Sequence, residues 1–432
     1  MNRIILIGNG FDLSHKLPTR YENFIRSFWM EFCAQIKGCN RLIHQTPLVE
    51  FGYINITPEL RMISRGLSTD LQYSFGFTGD FSSAQEFENL IKDSRGIKLS
   101  YKSELFKNIN NNIANYNWVD IEAEYYKLLH TTYVASPQKL NEEFAIIRSK
   151  LIDYLISIQN KHIDSSIINQ ATKDCMMAPF CANEISIDGR GKFVDFLERR
   201  IKDAKLAENI KMYNPSDVEE RYEKIDEFKS NWEGQIEFLG MGSIDGDALP
   251  SDMLYPDRIM LLNFNYTNTA DMYMPEDNYH FPINHIHGTL DNPDSVIFGY
   301  GDEKDEKYQE ISKLNNNDLL KNIKSIRYLE DVNYRNVLTF IESAPYQIYI
   351  MGHSCGTSDR TLLNTLFEHR NCVSIKPFYF QKDNGEDNYM EIVQNISRNF
   401  SDAQRMRDCV VNKKFCQPLP QSQSQSNTLT NG

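Results

Sequence analysis

Four short polar clusters carry the residue types from which a catalytic or ligand-binding site is built. The first is Gly8-Asn9-Gly10 with Asp12 close behind. Two glycines around one small polar residue let the backbone turn sharply and approach a ligand. Backbone N–H groups at such a turn can face a phosphate. The dinucleotide fingerprint requires a third glycine, and Leu13 stands there instead, so a tight turn leaving a core strand is the competing reading. The second cluster is Asn263-Phe264-Asn265-Tyr266-Thr267, in which Asn263 and Asn265 share a strand face. An amide there can orient a sugar hydroxyl or a water through donor and acceptor together. The blander reading is the turn chemistry that Asn favours at strand ends. The third is His285-Ile286-His287-Gly288, which suits either a metal pair or a general base at His287. The fourth, Gly352-His353-Ser354-Cys355-Gly356, has the G-x-S-x-G form of a nucleophile elbow. The chain order argues against a serine hydrolase, because the one His beyond Ser354 is His369, too early for that topology. The cluster then becomes a second glycine turn, whose Ser354 and small residues can line a nucleotide.

The elements that would position these clusters follow from periodicity. Ile4 to Ile7 is a short apolar run expected to be a buried strand, and Pro18 delays the next helix to Tyr21–Lys37. Residues 40–115 suggest loops, short helices and a hairpin. A helix is expected from Trp118 to His130, with Asp120 and Glu122 favoured near its N-terminus by the macrodipole, or else facing a ligand. From Pro137 to Ile163 an apolar stripe marks a long helix, followed by helices at 193–206 and 217–239. Strands return at 258–264, 283–287, 295–299, 347–351 and 373–380, with helices at 316–343, 358–369 and 389–400. This alternation predicts an α/β fold with a Rossmann-like, mainly parallel sheet and a large helical insertion. Ligands of such sheets bind beyond the carboxyl ends of the strands, where all four clusters fall. The expected organisation is a core split between 1–135 and 251–416, a helical insertion at 136–250 and a disordered polar tail at 417–432.

Composition narrows the function. A chain of 432 residues with 41% hydrophobic content supports a substantial core. The net charge of −13 argues against a nucleic-acid partner. Eight cysteines without a CxxC pair give no zinc-knuckle spacing and suit reduced thiols. No signal segment and no membrane span is visible, so a soluble, cytoplasmic protein with no membrane partner and no metal site is expected.

Five motifs in order are IILIGNGFDLSHKLPTRYENF, WVDIEAEYY, LLNFNYTNT, HIHGTLDNPDSVIFGYGD and IYIMGHSCGTSDRTLLNTLFE. Together they closely resemble the bacteriophage abortive-infection AbiH family. More distantly they resemble the sirtuin-like domains of antiphage proteins that consume NAD. That resemblance implies NAD as substrate, with Asn265 and His287 catalytic. It places Gly8, Asn9, Gly10, Asp12, Pro18, Thr19, Asn263, Tyr266, Gly352, Ser354 and Asp359 around the nucleotide. Asp12 stands where the sirtuin-like pattern has Ser, and Thr267 where it has Asp, which leaves open whether the ligand is NAD or another nucleotide. No deacetylase zinc module is visible. The implied role is antiphage defence by hydrolysis of NAD to nicotinamide and ADP-ribose, with a phage-derived trigger and a homo-oligomeric assembly. The alternatives are a nucleotide-sensing module without turnover and a metal-dependent hydrolase using His285 and His287.

Overall fold

The β-branched apolar run at the N-terminus forms the central strand of a five-stranded sheet. The computed structural model describes residues 1–94, 96–116, 119–133, 135–208 and 254–422. Strand β1 (Asn2–Ile7) is buried along its whole length. It pairs in parallel with β5 (Ile259–Asn263) on one side and β7 (Tyr346–Met351) on the other. Strands β6 (Ile283–His285) and β8 (Cys372–Phe378) complete the sheet, also in parallel, in the order β6-β5-β1-β7-β8. Counted along the chain within this sheet, the order is 3-2-1-4-5, that of a doubly wound sheet. The direction of winding therefore reverses between β1 and β7. The fold is α/β with a mainly parallel sheet, as the alternation of elements predicts.

The chain divides into two compact units. The first, residues 1–17, 162–296 and 327–432, holds the parallel sheet. Its core includes Ile5, Ile7, Phe11, Leu261, Tyr273, Tyr349, Met351 and Phe378. The second unit comprises residues 18–161 and 297–326, inserted largely between β1 and β5. Here the helix Tyr21–Lys37 buries Phe28, Trp29 and Phe32 among Phe51, Phe87 and Phe106. The Trp29 indole N–H donates to Asn110 Oδ1 over 2.7 Å. The long helix Pro137–His162 ends at this unit's boundary. The unit also contains a small antiparallel sheet of β2 (Ile43–Gln45), β3 (Val49–Tyr53) and β4 (Ile97–Tyr101). No helix of the described residues is long and apolar enough to cross a membrane.

Several expectations are corrected. Ser295–Gly299 is not a strand: a 3-10 turn, Pro293–Ser295, opens it, and the apolar residues behind are buried as irregular chain. The stretch 316–343 is broken into short turns before a helix at Asn333–Ser343. A short helix, α1 (Asn9–Ser14), begins directly after Gly8 rather than waiting for Tyr21. The polar tail is ordered at its start, with Leu419 buried in the first unit's core and its N–H donating to the Tyr379 carbonyl over 2.8 Å. Residues 423–432 and the expected helix 217–239 lie outside the described residues.

Candidate functional site

The strand registers bring the four polar clusters to one edge of the parallel sheet. Ile7 is level with Met351, and Asn263 with His285, so β1, β5, β6 and β7 end together. Three backbone bonds tie these ends: Gly8 N–H to Met351 O, Phe264 N–H to Ile7 O, and Ile286 N–H to Asn263 O.

The glycines serve a close crossing of two turns. A Cβ on Gly8 would lie 2.5 Å from the Cα of His353, and one on Gly10 would lie 2.8 Å from the Cα of Gly352. Gly352 itself has φ of 78° and passes so near Phe11 that any side chain would strike its backbone nitrogen. The missing side chains at Gly8 and Gly10 thus admit the β7 turn, a requirement internal to the protein. Asn9 and Ser354, one in each of the two crossing turns, are exposed.

The two asparagines act differently. Asn263 is fully buried, donates to the Thr267 carbonyl and accepts the Asn265 backbone N–H, so it braces its own turn. Asn265 is half-buried, and its amide donates to the Gly8 carbonyl over 3.1 Å. Thr267 donates to Asp12 Oδ2 over 2.7 Å. Asp12 is buried, and its Oδ1 has no hydrogen-bond partner among the described residues. Burial pushes this carboxyl up to about 6, against the lowering influence of Thr267, Thr269 and Asn265.

The histidines part company. His285 Nε2 lies 2.8 Å from Asp271 Oδ2, a pairing local to its strand end. His287 is buried, with Nδ1 3.2 Å from the Phe264 carbonyl oxygen. A carbonyl only accepts, so Nδ1 carries the proton. His287 Nε2 faces the Tyr328 hydroxyl and Asp359 Oδ1, each at 3.3 Å. The other oxygen of Asp359 lies 3.6 Å from Nε2 of His353. His353 Nδ1 accepts the Cys355 backbone N–H over 3.0 Å. Phe264 packs between the two histidines, with ring centroids 5.3 Å from His287 and 4.1 Å from His353. Tyr328 stacks on Tyr334 at 5.4 Å. Among the described residues, no group of three or more His, Cys, Asp or Glu converges as a metal site.

Of the residues named from sequence, Gly8, Asn9, Gly10, Asp12, Asn263, Asn265, Tyr266, His287, Gly352, Ser354 and Asp359 all lie in the first unit at this edge. Pro18 and Thr19 fall in the second unit, where the Pro18 carbonyl accepts the Tyr154 hydroxyl over 2.6 Å. Glu122, in the second unit, is buried against Lys324 at 3.1 Å, and Asp120 caps its helix through the Ala123 N–H. Sequence reasoning passed over His353 and Tyr328 as site residues. The signal for His353 was its place directly after a strand-ending glycine, six residues before Asp359.

The fold and this edge define a doubly wound α/β protein with a buried His-carboxylate cluster at its strand ends. The sequence model described as Bacteriophage abortive infection AbiH matches residues 4–381, and the chain belongs to that family. Family membership gives it a role in phage abortive infection. No curated protein and no solved structure matches the chain.

Proposed function

We propose that the chain is a phage-defence enzyme that hydrolyses the nicotinamide–ribose bond of NAD, with His287 as its general base. The observation that carries this reading is the 3.2 Å contact of His287 Nδ1 with the Phe264 carbonyl oxygen, from which the tautomer follows. With Nδ1–H tied to the Phe264 carbonyl, the neutral ring keeps its lone pair at Nε2. The sirtuin-like resemblance of the motifs supplies the substrate. The reaction consumes NAD and water and yields nicotinamide, ADP-ribose and one proton. The bonding pair leaves with the nicotinamide nitrogen, and the ribose carbon takes oxocarbenium character as at a glycosidic centre. Water adds to that carbon, and its proton passes to His287 Nε2. Asn265, half-buried beside the Gly8 carbonyl, orients the water or the ribose. The unspent Oδ1 of Asp12 suits a ribose hydroxyl. Asn9, Gly10, Tyr266, Gly352 and Ser354 border the nucleotide in this reading, Gly8 and Asn263 brace the turns behind them, and a phage-derived trigger acts on a homo-oligomer.

One observation favours a second reading, a nucleotide sensor without turnover. The Tyr328 hydroxyl sits on the atom that would take the proton. A metal-dependent hydrolase is less favoured, because His285 and His287 turn to different carboxylates, Asp271 and Asp359.

The test is an NAD time course with purified protein, wild type beside His287→Ala, with and without lysate from phage-infected cells. Release of nicotinamide that falls about 10²–10⁴-fold in the variant supports the hydrolase and its base. Thermal stabilisation by NAD with no turnover under either condition selects the sensor.

A further inference from the structure

We infer that His353 is a positioning residue which, through Asp359, sets the protonation of His287. The inference deepens the proposed catalytic role of His287 and rests on it for its functional meaning. Asp359 lies between the two rings, Oδ1 toward His287 at 3.3 Å and Oδ2 toward His353 at 3.6 Å. The two histidines are not equivalent. His353 Nδ1 is occupied as an acceptor by the Cys355 N–H, so its proton resides on Nε2 and points at the carboxylate. Cys355 holds φ of 54°, the left-handed turn that returns its N–H onto the ring. The backbone therefore holds His353 with its Nε2–H toward the carboxylate. His287 has the opposite arrangement, with Nδ1–H held by the Phe264 carbonyl and Nε2 facing the Tyr328 hydroxyl and Asp359 Oδ1.

The consequence is directional. When His287 takes a proton at Nε2, the imidazolium faces Asp359. That carboxylate supports the charge only while it stays ionised and aimed at His287. The Nε2–H dipole facing its second oxygen over 3.6 Å, longer than a direct hydrogen bond, acts electrostatically: positive charge density beside a carboxylate favours its charged form. The groups facing the cluster include the Tyr328 hydroxyl, the Phe264 carbonyl and the Tyr266 ring at His287. At Asp359 there is also the Cys355 thiol, which burial and the carboxylate keep neutral. Arg360 follows Asp359 in the chain.

The experiment uses the full chain labelled in its histidine rings, read by ring nitrogen and carbon resonances through a pH titration. In the wild type, His353 should show the Nε2–H tautomer; an Nδ1–H tautomer overturns the inference outright. His353→Asn places an amide oxygen where Nδ1 stood, so the Cys355 N–H keeps an acceptor while the donor to Asp359 is lost. His287 should then titrate about one pH unit lower. His353→Gln returns a donor near the Nε2 position and should restore at least half of that shift. In an Asp359→Asn background, His353→Asn should move His287 no further. A His287 titration unmoved by His353→Asn, or a shift that persists without the Asp359 carboxylate, refutes the link. These readouts need no turnover, so they stand apart from the NAD assay. If turnover is found, the acid limb of its pH profile should follow the same shift.

Discussion

At the scale of single residues, Asp12 and His285 sit under different constraints. Asp12 is buried against Thr267 with its carboxyl raised from 3.8 to about 6. The folded state therefore binds more protons than the unfolded state between these values, and stability falls as pH rises through that window. The cost is absent below about pH 4 and complete above about pH 6, where it amounts to roughly 3 kcal/mol. Asp12→Asn keeps an acceptor for the Thr267 hydroxyl and removes the charge. Urea melts should show the variant gaining on wild type by roughly 2 kcal/mol between pH 4 and pH 7. A gap that stays constant with pH would mean that Asp12 is ionised without penalty. His285 makes a contrasting case. Its partner Asp271 is local, so His285→Ala should cost about 1 kcal/mol of stability and leave any NAD turnover within about threefold. A loss as deep as that of His287→Ala would return the metal reading to favour.

At the scale of elements, the close crossing of the turns after β1 and β7 organises the edge. Gly352 combines a left-handed φ with a contact that no side chain could clear. Gly352→Ala should therefore destabilise by more than roughly 2 kcal/mol in equilibrium unfolding, well beyond an ordinary surface glycine. The crossing also explains what was legible in the sequence. Apolar runs such as Ile259–Asn263 and Tyr346–Met351 announced buried parallel strands, and their polar ends announced the edge. What the glycines touch was not legible, since Gly-Asn-Gly is written alike whether a phosphate or another turn of the chain approaches. His353 was hidden for a related reason. Its inward direction depends on the left-handed backbone at Cys355, which no residue type there advertises. The run at 295–299 misled in the other direction, because Val296 to Phe298 is apolar and buried without pairing in a sheet. The polar tail concealed one anchor, Leu419, among residues that signal disorder. Leu419→Ala should cost about 2 kcal/mol or more, measured by urea unfolding.

At the scale of the whole chain, two units have separate cores, yet the backbone passes between them at 17–18, 161–162, 296–297 and 326–327. Separate cores favour separate unfolding, whereas repeated chain crossings restrain each unit through the other. One pair of variants decides between these effects. Lys324 is buried in the second unit against Glu122, so Lys324→Met keeps bulk and strands a buried carboxylate at a cost of roughly 3–5 kcal/mol. Leu419→Ala removes apolar contact from the first unit's core. If the separate cores dominate, scanning calorimetry should resolve two transitions. Lys324→Met should lower one of them and Leu419→Ala the other. A single transition lowered by both substitutions would show that the four crossings bind the units into one cooperative fold. In that case a disturbance in the second unit would weaken the sheet edge that carries His287 without touching it. Loss of activity in second-unit variants would then report on stability, and only His287, Asn265, Asp359 and His353 variants that melt like the wild type would report on the chemistry.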